Sequence, residues 1–144
     1  MKPTFGSEFV QWVVERIRST GLVPAENVFD SRERDLGWLI SEACTRSLGL
    51  AVVVSYPRLR RNAREAAANE HTASVLVAIH CNTVLASGVN SYEVAEGLYY
   101  ALDAASFPDA RTNVGLPPNV TSDSLTDSPR KGNVLHSFVV SATL

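Results

Sequence analysis

Four arginines fall within seven residues of the stretch SYPRLRRNAREAAANEH, at Arg58, Arg60, Arg61 and Arg64. A guanidinium is permanently charged and presents five donors in a planar fork, so such a cluster suits phosphate oxygens or carboxylates. Three uses compete for it. A solvated loop is the default for an isolated charge run. Contact with another protein draws on the enrichment of arginine at interfaces and on acidic turns that an identical neighbour would offer. A nucleic-acid grip would use the same charges. However, only Tyr56 lies among them as an aromatic for stacking, and no reading helix is evident.

The other reactive residue types are scattered. Of the three histidines, His80 is followed by Cys81 in an apolar run. If that run is a strand, the two side chains point to opposite faces and cannot chelate one ion. His136 falls on the apolar face of a predicted strand, where a buried, hydrogen-bonded imidazole is the plain expectation. Asp103, Asp109, Asp123 and Asp127 sit in turns or at a helix end, where aspartate commonly serves the turn itself. No GxSxG elbow, P-loop, GxGxxG after a strand, or HExxH occurs. Cys44 and Cys81 are the only cysteines. They form no CxxC clip for zinc and are too few to be a disulfide framework. The expectation is a protein without catalytic residues, cofactor or metal.

These residues have to be positioned by a chain of 144 residues with 45% hydrophobic and 19% charged residues. That is ordinary globular usage, enough for a single domain spanning 1–144 around one core. The net charge of -2 provides no global positive field to draw in nucleic acid. The N-terminal stretch MKPTFGSEFVQWVV lacks the apolar region of a signal peptide. No run approaches the roughly 18 apolar residues that span a bilayer, so the expectation is a soluble, intracellular protein with no membrane partner.

The spacing predicts a first helix over GSEFVQWVVERIRSTG. Ser7 is its N-cap, Phe9, Val10, Val13, Val14 and Ile17 form one stripe, and Gly21 is its stop. LVPAENVFDSRERD reads as an irregular connection. A second helix over DLGWLISEACTRSLG would turn Leu36, Leu39, Ile40, Ala43, Cys44 and Leu48 to the core. LAVVVSY and HTASVLVAIHCNTVL read as strands, the second alternating apolar odd positions (Ala73, Val75, Val77, Ile79, Cys81) with wetter even ones. At about 3.3 Å per residue, its 72–84 portion would reach ~40 Å and project to join a neighbour's sheet. The arginine segment then becomes a hairpin connection over about 57–70, longer than hairpin loops usually are.

A third helix follows, with Asn90 and Glu93 at capping-box spacing. Val94, Leu98, Ala101, Leu102 and Ala105 form its buried stripe, and Pro108 marks its exit. A weak strand around Val114 to Thr126, broken at Pro117-Pro118, leads across an SPRKGN turn to a closing strand. There Val134, His136, Phe138, Val140, Ala142 and Leu144 share one face. This order predicts an α+β domain: a largely antiparallel mixed sheet with two to three helices packed against it.

Several stretches in this order resemble the bacteriophage tail-terminator (tail-completion) and neck protein family. An opening helix leads into GLVPAENVFDSRERDLG, and SLGLAVVVSYPRLRRNAR and ASVLVAIHCNTVL follow. The capped helix NSYEVAEGLYYALDAASF and the closing VLHSFVVSATL complete the layout. The resemblance covers most of the chain, through layout more than through shared residues. It implies a small subunit that assembles with itself into a ring, typically a hexamer. Such a ring caps the tail tube protein, ends tube polymerisation and meets the head-side connector, with DNA only as cargo in its lumen. The setting implied is the virion's tail-neck junction, after synthesis in the host cytoplasm. The resemblance implies no catalytic residues and transfers no site residue, so the arginines remain candidates on their own chemistry. A head-completion or adaptor neck protein is the near alternative. A small nucleic-acid-binding accessory domain using Arg58–Arg64 is the distant one.

Overall fold

Helix α1 (Phe5–Ser19) buries all five residues of the predicted stripe. It begins before Ser7, which lies in the first turn and is not the cap. Gly6 is buried beneath Pro57, where an added Cβ would sit 3.3 Å from the proline ring; this tertiary contact lies one residue before the local capping signal. The helix ends ahead of Gly21, whose φ of 70° is left-handed and suits a residue without a Cβ. The computed structural model describes residues 5–45, 49–61, 71–84, 90–105 and 120–143.

The segment read as irregular contains a 3-10 turn (Ala25–Asn27) and a short strand, β1 (Val28–Asp30). Three residues are too few to show alternation, so the strand left no periodic signal. It is placed by distant groups. The buried Asn27 amide donates to the Leu50 carbonyl at 3.0 Å, and Arg18 donates to the carbonyls of Ala25 and Val28. β1 runs parallel to β2 (Leu50–Val54).

Helix α2 (Leu36–Thr45) packs on Phe29 and Ala51. Only Ala43 of its predicted core face is fully buried, while Leu36, Leu39, Ile40 and Cys44 are partly covered. The helix lies over β2 and β4. Leu48 lies outside the described residues.

Among the described residues the sheet has six strands in the order β1-β2-β4-β6-β5, with β3 (Arg58–Arg61) added beside β4 (His71–Asn82). Only the β1–β2 pair is parallel. The odd residues of β4 from Ala73 to Cys81 are all buried, and the even ones are half-buried or exposed. β2 and β3 occupy one edge of β4 and β6 (Asn133–Thr143) occupies the other. This corrects the expectation that the long strand projects to join a neighbour's sheet, since its own hydrogen bonds are spent inside the protomer.

Helix α3 (Ser91–Leu102) starts where expected, with Asn90 Oδ1 accepting from the amides of Tyr92 and Glu93 at 3.1 and 3.3 Å. Val94, Leu98, Leu102 and the following Ala105 are buried, and Ala101 is half-buried. Pro108, Pro117-Pro118 and Leu144 lie outside the described residues. β5 (Val120–Arg130) extends four residues past Thr126, and its register slips between Asp123 and Thr126, where Ser124 has a φ of 59°. Pro129 is tolerated because β5 is an edge strand. The turn into β6 is only Lys131-Gly132, with Gly132 at φ 81° as the second turn residue.

The result is an α+β fold in three layers. α1 and α3 cover one face of the sheet and α2 covers part of the other. No helix among the described residues is long and apolar enough to cross a membrane. Phe138 sits fully buried in the main core, edge-on to Tyr99 at 5.6 Å. Phe138→Ala should lower unfolding stability by about 3–5 kcal/mol, read by urea denaturation. A loss under about 1 kcal/mol would contradict this packing.

Candidate interface at the arginine strand

The arginine segment is not a loop throughout. Arg58 to Arg61 form β3, paired with Ser74 to His71 of β4. Between the Val54–Val77 and Arg58–Ser74 pairs the outer chain advances four residues and β4 three. The extra residue makes a bulge, which lets one edge continue as two strands. Alternation alone does not reveal a bulge, and Pro57 reads locally as a strand end.

Both backbone amides at this break, and the Ser55 hydroxyl, find partners. Ser55 donates its amide to the Leu76 carbonyl at 2.9 Å, and its hydroxyl accepts from the Leu76 amide at 2.7 Å. Tyr56 donates its amide to the Ser31 hydroxyl at 2.8 Å, and Pro57 has no amide hydrogen to satisfy. Arg32 lies 5.0 Å over the Tyr56 ring and holds Asp30 through a 2.6 Å ion pair. Partial burial pushes the Asp30 carboxyl up, but hydrogen bonds and charge from Arg32 outweigh it and hold it below the usual carboxylate range.

The register sets Arg58 and Arg60 on the face of Ser74 and Thr72, and Leu59 on the face of Ala73. Both arginines are exposed, as is Leu59 at 55%. Neither arginine has an ion-pair partner among the described residues. The Arg61 side chain and Arg64 lie outside them, so the structure brings together two of the four predicted contact residues. No described element covers the outer edge of β3. Among the described residues its outer backbone groups have no strand partner, and they are flanked by positive charge.

Two further constellations carry chemistry. Ser91, His136 and Asp127 form a hydrogen-bonded relay. Ser91 Oγ is 2.9 Å from His136 Nε2, and Asp127 Oδ1 is 2.5 Å from Nδ1. With Nδ1–H donating to the carboxylate, Nε2 accepts from the serine hydroxyl, which is the connectivity of a serine-hydrolase triad. Its exposure runs the other way. His136 is 0% exposed, Ser91 6%, and the Asp127 side chain 40%. Water therefore reaches the acid and not the hydroxyl. The relay fastens the first turn of α3 to β5 and β6, with the Tyr92 ring edge-on to the imidazole at 4.7 Å. The sequence marks His136 as buried but gives no sign of its partners, which lie 45 and 9 residues away.

The second is a cleft of about 430 Å³ on the α2 side, lined by Cys44, His80, Asn82, Arg130 and Lys131 among others. Burial pushes the His80 imidazole below its usual range. Burial, with a smaller effect from nearby Cys81, pushes the Cys44 thiol up. His80 and Cys81 do face opposite sides of β4, and both cysteines are free thiols. No group of three potential metal ligands occurs among the described residues.

Comparison with known proteins finds no matching family model and no matching curated protein.

His136→Leu strands Ser91 and Asp127 and should cost about 1–3 kcal/mol in urea unfolding, while a fluorophosphonate probe leaves Ser91 of the native protein unlabelled. Labelled Ser91, or unchanged stability, would contradict a fastening role. Asp30 has a lowered folded-state pKa, so its contribution is complete above the ordinary value of about 3.9 and fades as pH falls through the folded-state value. Asp30→Asn should cost up to about 1 kcal/mol at pH 7 and remove that part of the acid dependence. Parallel pH–stability profiles for wild type and variant would refute it.

Proposed function

We propose that the chain is the protomer of a homo-oligomeric ring at the tail-neck junction of a bacteriophage. The ring would cap the tail tube, end its polymerisation and join the tail to the head-side connector. The open basic edge of β3 carries this reading. An edge strand that no other described element covers is a liability in a monomer, and here a hydrogen-bonded bulge aligns it and the Arg32–Asp30 pair braces the break. Such an edge is useful where another surface closes on it.

Added to polymerising tail tube protein, the purified chain should shorten the tubes and appear as a ring at one end in negative-stain images. Changing Arg58, Arg60 and Arg61 together to serine should leave thermal unfolding unchanged but weaken ring formation and capping. Unchanged ring formation and capping would contradict a role for this edge. Salt-sensitive retention on DNA with no ring at any concentration would make the arginine strand a nucleic-acid contact instead.

A further inference from the structure

The two flanks of the protomer carry complementary chemistry. On one flank, β3 exposes Arg58, Leu59 and Arg60 beside an open strand edge. On the other, α3 packs on β5 and β6 and turns an outer stripe to solvent. Tyr92, Glu96 and Tyr100 recur at i, i+4 and i+8 on that stripe, with Glu93 beside them, and all four are exposed. Tyr100 is 69% exposed, high for so large an aromatic side chain. Neither glutamate has an ion-pair partner among the described residues.

We propose that the arginine strand of one copy docks on the tyrosine–glutamate stripe of α3 in the next copy, head to tail. This rests on the ring reading above and names the two surfaces that form the ring. The chemistry fits at three levels. Guanidinium planes stack on tyrosine faces and take carboxylates as bidentate partners. The open strand edge needs acceptors for its amides and donors for its carbonyls, which carboxylates and tyrosine hydroxyls supply. Leu59 gains apolar ring surface.

Pairing β3 with β3 of a second copy is disfavoured, because arginines would face arginines across the new ladder. The two surfaces lie on opposite flanks, so their contact is heterologous, the kind that builds rings when the rotation closes. β5 is the sheet edge on this flank, but its beginning is already engaged. Val120 exchanges backbone hydrogen bonds with Ala104 and Ala105, and the Ser122 amide donates to Asp103. On this flank α3 offers two glutamates together with two tyrosines on one exposed stripe, whereas Asp127 of β5 is held by His136.

Two single charge reversals test the pairing by native mass and sedimentation, with thermal melts to verify folding. Arg60→Glu sets a carboxylate opposite Glu96 and Glu96→Arg sets a guanidinium opposite Arg60, so each variant alone should associate at least about tenfold more weakly than wild type. An equimolar mixture should recover assembly, because alternating copies again oppose unlike charges in an even-numbered ring. Wild-type assembly by either variant alone would overturn this interface and leave the ring reading intact. Weakened variants that mixing does not rescue would also overturn it. A wild-type chain that stays monomeric at all concentrations would overturn the ring reading and this pairing with it.

Discussion

The double-edged pairing of β4 is the constraint on which the other elements depend. Its twelve residues hydrogen-bond to β2 and β3 on one side and to β6 on the other. A one-residue slip would turn Ala73, Val75, Val77, Ile79 and Cys81 to the open face and bring their polar neighbours into the core. Register is therefore fixed from both sides. α1 and α3 can pack only where that apolar face is presented, and α2 takes what remains over Phe29 and Ala51.

The same constraint creates the arginine edge. β4 and β6 run past the end of β2, so the outer side of β4 beyond Val77 would stand bare. The bulge at Ser55–Pro57 brings the chain back into register and lets Arg58–Arg61 complete the ladder. The open edge is thus moved outward by one strand, onto residues whose charge discourages indiscriminate pairing. A basic edge that resists self-pairing suits an acidic partner, the role proposed for the outer stripe of α3.

Legibility in the sequence followed the range of the interactions. Long amphipathic patterns spoke plainly: the stripe of α1, the alternation of β4 and β6, and the Asn90 cap are local and periodic. β1 was silent because three residues have no period, and its place depends on Asn27 reaching Leu50. β3 reads as loop because Pro57 ends one strand, while a bulge that resumes pairing is visible only from the partner strand. The extension of β5 through Ser128 to Arg130 went against local turn chemistry, since edge pairing with β6 overrides it. Of the candidate site, the arginines stood out by type, but their use depends on an edge that only the sheet defines. The Ser91–His136–Asp127 relay is assembled wholly by topology and gave no linear signal.

The central claim is that this fold is a ring subunit, and the most direct measurement is the native mass of the wild-type protein across concentration. The account predicts a discrete, closed species at an integral multiple of the 15.6 kDa chain, with a central opening when imaged. A 15.6 kDa monomer at every concentration, or a ladder of open-ended sizes without a closed species, would contradict it.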